Sequence, residues 1–116
     1  MIKSEKRGNI EIVSFSTGKL NAETADEVRD YISNLFSEPN SKVVISFKGI
    51  DYIDSTGFGS LLSILRVARD NYGKLKICCI EPQVLNLFNM LHLHTIFDIH
   101  NSIDECINSL NSDKKG

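Results

Sequence analysis

Three observations predict an α/β fold for this chain, with helices packed on a mixed sheet. Two nearly continuous apolar runs, Val43 to Phe47 and Leu75 to Ile80, read as strands buried on both faces. Each is followed by a segment whose apolar residues recur at three and four, the period of a helix with one packed face. A partly alternating, β-branched run, Ile10 to Phe15, comes before them and reads as a strand with one face more buried than the other.

The elements follow in order. Ser16-Thr17-Gly18 supplies a turn after the first strand, and Lys19-Leu20 is expected to pair back on it as an antiparallel edge. Asn21 is the expected N-cap of the first helix, whose inner side carries Ala25, Val28, Ile32, Leu35 and Phe36. Its outer side carries Glu23, Asp26, Glu27 and Asp30. Pro39-Asn40-Ser41 ends that unit and Val43 to Phe47 opens the next.

The second helix begins near Ser55, with Phe58, Leu61, Leu62, Leu65, Ala68 and Tyr72 along one side and Gly73 as the expected C-prime residue. Leu75 to Ile80 is the following strand, and Glu81-Pro82 starts a helix with proline in its tolerated first turn. Val84, Leu85, Phe88 and Leu91 give this third helix its apolar side, widened by Leu87 and Met90; that greasy face is suited to a homodimer. Thr95 to Ile99 reads as a short last strand. Ser102-Ile103-Asp104-Glu105 is a capping box for a fourth helix containing Cys106, Ile107 and Leu110. Buried strands each followed by a helix imply right-handed crossovers and parallel pairing, in a sheet of about four or five strands with about four helices.

Composition bounds the function. With 116 residues, 41% apolar and 24% charged, the chain has the length and balance of one ordinary domain. Residues 1–8 and 111–116 are expected to fray. The net charge of -2 and the scattered lysines and arginines offer no field for nucleic acid. No run of apolar residues has the length of a signal or membrane segment, so the expected location is cytoplasmic, without membrane insertion. Three cysteines cannot all pair within one chain; Cys78 and Cys79 are expected on opposite faces of a strand, reduced and packed, as is Cys106. His92, His94 and His100 lack nearby carboxylates other than Asp98, so neither a metal nor another cofactor is expected.

The residues that carry chemistry are Asp51-Tyr52-Ile53-Asp54-Ser55-Thr56-Gly57-Phe58-Gly59. They set a hydroxyl between an acid and the start of a helix, where unpaired N–H groups and the positive end of the dipole favour an anion. Gly57 and Gly59 remove side chains that would screen that backbone. As local structure alone, the stretch is a turn with Ser55 or Thr56 as N-cap. In an open α/β sheet, sites gather beyond the carboxyl ends of the strands, where this loop and the turn before Asn21 both lie.

These residues resemble a known family. Strand, Asp-x-x-Asp-Ser-Thr-Gly-Phe-Gly, amphipathic helix and strand look like a STAS domain, the module shared by sulfate transporters and anti-sigma factor antagonists. Gly18-Lys19-Leu20-Asn21 falls where the family has Gly-Glu-Leu/Ile-Asp, and Thr24 falls on a commonly matching position. The likeness covers nearly the whole chain and is nearer to the free-standing bacterial antagonists than to the versions appended to transporters.

The resemblance implies a single STAS domain over residues 1–116 that acts as a substrate and ligand, not an enzyme. Ser55 would be phosphorylated by an anti-sigma factor that is itself a GHKL-type serine kinase, and a PPM-type phosphatase would remove the phosphate. The unphosphorylated form would hold the kinase and free the sigma factor. Asn21, Asp54, Ser55, Thr56, Gly57 and Phe58 are the expected partner-binding residues, with Thr56 capping the helix, Phe58 anchoring the contact or the core and Asp54 orienting the hydroxyl. Asn21 and Lys19 depart from the pattern's two acids.

Three other readings differ in chemistry. A phospho-receiver domain would use Asp54 as acceptor, but the first strand ends without the acidic pair that holds magnesium. A hydrolase would use Ser55 as nucleophile, but Gly-x-Ser-x-Gly is missing. A STAS scaffold or transport-accessory module would never carry phosphate.

Overall fold

A computed structural model describes residues 1–112 of the chain. Its elements are β1 (Ile2–Arg7), β2 (Ile10–Phe15), β3 (Lys19–Leu20), α1 (Ala25–Leu35), β4 (Lys42–Ser46), β5 (Tyr52–Ile53), α2 (Ser55–Asp70), β6 (Lys74–Cys78), α3 (Pro82–Met90), a 3-10 turn at Leu93–Thr95, β7 (Asp98–His100) and α4 (Ile103–Ser112). Five strands form one sheet in the order β1-β2-β4-β6-β7, and β3 and β5 form a separate two-stranded pair. Within the large sheet β1 runs antiparallel to β2, and all other pairings are parallel.

Alternation along each strand divides the apolar residues between two faces. Val13, Val43, Ile45, Leu75 and Ile77 meet α1, α2 and α3 in the larger core, with Val28, Ile32, Leu61, Ile64 and Phe88 from the helices. Ile10, Ile12, Val44 and Cys78 meet Cys106 and Leu110 of α4 on the opposite face. Central strands covered on both faces leave little room for polar alternation, which is why Val43 to Phe47 reads as a nearly continuous apolar run, broken only by the buried Ser46.

The structure corrects several expectations. Residues 2–7 are a paired edge strand rather than a frayed end, from Ile2↔Phe15 to Arg7↔Ile10, and Ser4 Oγ lies 2.9 Å from the Tyr31 hydroxyl. This strand, not Lys19-Leu20, is the antiparallel edge; β3 pairs parallel with β5 instead. At the other end, residues 111 and 112 complete α4, and 113–116 lie outside the described residues.

Leu62 and Tyr72 do not belong to the packed side of α2, being 41% and 78% exposed, while Ile64, omitted from the expected face, is fully buried. The helix ends in a Schellman arrangement one residue earlier than expected. Tyr72, at φ 58°, is the left-handed residue, with its amide on Arg69 O at 3.2 Å and the Gly73 amide on Ala68 O at 2.7 Å. Gly73 is needed for a different reason: a β-carbon there would lie 2.6 Å from Phe36 Cδ1.

Cys79 follows the end of β6 with φ 64°, so strand alternation stops at Cys78. The two sulfurs therefore converge to 3.0 Å instead of pointing to opposite faces. The last strand begins at Asp98 rather than Thr95, because Leu93–Thr95 winds into the 3-10 turn and Phe97 turns inward to pack on Phe88. Leu87, Met90 and Leu91 of the third helix segment stay exposed. Ser102 Oγ accepts from the Glu105 amide, and Glu105 reaches back to the amide of Asn101, a capping box offset by one residue.

Candidate functional site

The site is built where two short strands lock together beyond the carboxyl end of β4. Gly18 O accepts hydrogen bonds from the amides of Asp51 and Tyr52 at 2.9 and 3.2 Å, and Leu20 O accepts from the Asp54 amide at 3.3 Å. Between them Lys19 pairs with Tyr52 and Leu20 with Ile53. Leu20 and Ile53 are buried against the core, so this small ladder is fixed to the body of the domain and the residues that follow Ile53 start from a rigid support.

Asp54 caps α2. Its extended backbone, φ -118° and ψ -172°, lets Oδ1 accept from the amides of Thr56 and Gly57 at 3.0 and 3.1 Å, while its carbonyl accepts from the Phe58 amide at 2.9 Å. The expectation that Thr56 or Ser55 caps the helix is therefore corrected. All three residues have suitable side chains, but only Asp54 precedes the helical turn and can reach its second and third amides. Ser55 becomes the first helical residue and is exposed, as is Thr56.

Gly57 and Phe58 support this start from beneath. Both are buried; Phe58 lies edge-on to Phe88, with ring centroids 5.2 Å apart, and so anchors the core rather than presenting itself to a partner. A β-carbon on Gly57 would run into the Leu20 carbonyl oxygen and lie 2.8 Å from Ile53 Cγ1. Its glycine thus permits β3 to cross over the helix start, whereas a β-carbon on exposed Gly59 would meet nothing within 4 Å.

Asn21 lies in the turn before α1, one turn ahead of the helix start at Ala25, and the N-cap position belongs to Thr24, which makes no side-chain cap bond. Asn21 instead holds the turn: its Oδ1 accepts from the Glu23 amide at 3.0 Å, and Thr24 Oγ1 accepts from the Asn21 amide at 3.1 Å. A shallow cavity of about 330 Å³ separates this turn from Asp54, lined by Lys19, Asn21, Ala22, Glu23, Tyr52 and Asp54. The structure thus brings Asn21, Asp54 and the exposed Ser55 to one end of the domain. Ala22 and Glu23 also line this cavity without a sequence signal, since a two-residue ladder leaves no periodic trace that would place their turn beside Asp54.

None of the three histidines lines this cavity. His92 and His94 lie beyond α3 with rings 6.1 Å apart, and His100 stands in β7, 2.9 Å from Asp98. Among the described residues, no group of three His, Cys, Asp or Glu side chains is arranged to hold a metal. Among them too, no helix is long and apolar enough to cross a membrane.

Comparisons with known proteins agree with this architecture. The chain is 28% identical, over 102 residues covering 87% of it and 86% of the relative, to an anti-sigma F factor antagonist of Paenibacillus polymyxa. Its fold matches an anti-sigma-factor antagonist (STAS) domain protein from Planctomyces limnophilus with a TM-score of 0.86 at 13% identity, covering 95% and 97% of the two chains. It also matches the anti-sigma factor antagonist SpoIIAA in its unphosphorylated form, with a TM-score of 0.76 at 18% identity and 97% of each chain covered. The family model of the STAS domain matches residues 1–106, and the chain belongs to the STAS domain family.

Proposed function

We propose that this protein is an anti-sigma factor antagonist controlled by phosphorylation of Ser55. The observation that carries the reading is the exposed Ser55 hydroxyl at the first position of α2, held next to the Asp54 cap by the β3–β5 ladder. The hydroxyl is presented on a supported helix start that a kinase can approach. The antagonist names of its relatives support the class of partner, an anti-sigma factor.

In this reading the unmodified surface around Asn21, Asp54, Ser55 and Thr56 binds an anti-sigma factor that is also a GHKL-type serine kinase, which frees the sigma factor. A phosphate adds about -1.5 to -2 charges to a surface that already carries Asp51 and Asp54. A partner surface shaped for a neutral hydroxyl must then bury that charge next to carboxylates, a mismatch on the scale of several kcal/mol. Affinity falls by orders of magnitude without any change of fold, and a PPM-type phosphatase resets the surface. The chain is a substrate and ligand, not an enzyme.

The test is incubation with purified GHKL-type serine kinases and ATP, mapping of the phosphate by mass spectrometry, and binding of wild type, Ser55→Ala and Ser55→Asp. Phosphate on Ser55, retained binding by Ser55→Ala and loss of at least about tenfold for Ser55→Asp, about 1.4 kcal/mol, are expected. A Ser55→Asp variant that binds as tightly as Ser55→Ala speaks for a STAS scaffold that never carries phosphate.

A further inference from the structure

A phosphate on Ser55 meets a helix start at which the next three amide donors are already in use. The amides of Thr56 and Gly57 both donate to Asp54 Oδ1, and the Phe58 amide donates to the Asp54 carbonyl. The Thr56 and Gly57 N–H groups, which ordinarily attract an anion at a helix start, are therefore spent on the protein's own carboxylate. The side chains around the position add negative charge: Asp54 itself, Asp51 ahead of β5, and Glu23 on the rim of the adjoining cavity. Left so, the modified serine would be repelled by its own domain.

One cation lines that cavity. Lys19 pairs with Tyr52 across the β3–β5 ladder, while the next pair, Leu20 and Ile53, is buried. Side chains alternate along a strand, so Lys19 and Tyr52 share the outward side, and both border the cavity with Asp54. Among the described residues Lys19 is in no ion pair. Asn21 adds a donor: its oxygen is held by the Glu23 amide, which leaves its amide nitrogen for another acceptor.

We propose that Lys19 is the built-in counter-ion of the Ser55 phosphate, receiving it at the cavity between β3 and Asp54, with the Tyr52 hydroxyl and the Asn21 amide as further donors. This assignment rests on the reading of Ser55 as the phosphorylated residue. It gives the modified state an arrangement of its own: the phosphate turns onto the domain's cation, offsetting Asp51 and Asp54, and occupies the surface that the unmodified form offers to a partner.

The test uses the full chain with phosphoserine encoded at position 55, so no kinase is involved, and follows the second ionisation of the phosphate by phosphorus NMR. A nearby ammonium favours the dianion and lowers that pKa from its ordinary value of about 6. Wild type is expected to titrate about half a unit below Lys19→Gln, the scale of an exposed ion pair. Lys19→Arg should keep the lowered value. Lys48→Gln, which removes a cation from the loop before Gly49 outside the cavity, should match wild type. The difference should shrink in about 1 M salt, where the Debye length is about 3 Å.

Equal titration of wild type and Lys19→Gln overturns the proposal, as does a shift in Lys48→Gln as large as that in Lys19→Gln. In the unsubstituted protein, the Lys19 side-chain NMR signals should move between the serine and phosphoserine forms, and unmoved signals overturn it equally. Failure of every kinase to modify Ser55 would count against the functional reading alone, while the titration judges Lys19.

Discussion

At the residue scale, two glycines of one helix separate packing from surface. Gly57→Ala forces a methyl group against the Leu20 carbonyl and Ile53, contacts that cannot yield without opening the β3–β5 ladder. It should destabilise the protein by about 1–3 kcal/mol, as overpacking does, measured by urea unfolding. Gly59→Ala meets no obstacle and should stabilise α2 by about 0.5–1 kcal/mol, since glycine is a poor helix interior residue. Reversal of this order would show that the ladder does not fix the helix start. The cysteines supply a pH dependence. A hydrogen bond with Cys106, then burial, pushes the Cys78 thiol up, and burial, then the Cys78 contact, pushes Cys79 up. Thiols raised on folding favour the native state fully below their unfolded value, about 8.5, and lose that contribution as pH rises above it. Stability should therefore fall between pH 8 and pH 10, and fall less in Cys78→Ala. Equal slopes for the two proteins would remove the thiols as the cause.

At the scale of elements, the end of α2 and the start of α3 show what a sequence can reveal. Pro82 stands at the first turn of α3 as its chemistry requires, and the three-and-four spacing of Val28 and Ile32 or of Leu61, Leu65 and Ala68 marks both long helices. The α2 terminus was harder to read, because glycine is the usual left-handed residue, yet here Tyr72 adopts φ 58° while Gly73 makes room for Phe36. Tyr72→Gly should relieve that strain and raise stability by about 0.5–1 kcal/mol, read as a higher Tm. An unchanged or lower Tm would mean that the Tyr72 ring contributes more than its backbone costs. The cap of α2 was ambiguous for a related reason: Asp54, Ser55 and Thr56 are all capping residues, and only the ladder before them shows which one lies outside the helix. That ladder is itself hidden in the sequence, since two residues per strand carry no readable period.

At the scale of the molecule, β1 decides how the sheet ends. Its alternation is weak and its charges, Lys3, Glu5, Lys6 and Arg7, resemble a solvated tail, yet charged side chains are what protect an edge strand from pairing with another chain. Ile2 packs on the main core and six residue pairs join β1 to β2, so this segment is structural. Removing residues 1–8 should lower Tm by roughly 10 °C, equivalent to about 2 kcal/mol, and expose β2 as an unprotected edge that associates at high concentration. A truncated chain with unchanged Tm would return β1 to the status of a frayed end.

The rest of the molecule serves the helix start: the core holds the separate β3–β5 pair through Leu20 and Ile53, this pair positions Asp54, and Asp54 leaves Ser55 exposed at the first turn. The most direct measurement of this account is the affinity of the unmodified and Ser55-phosphorylated chains for the proposed GHKL-type kinase partner, by calorimetry. Binding by the unmodified chain that weakens at least tenfold on phosphorylation is predicted. Equal affinity of the two forms, or phosphate found elsewhere with Ser55 untouched, would contradict it.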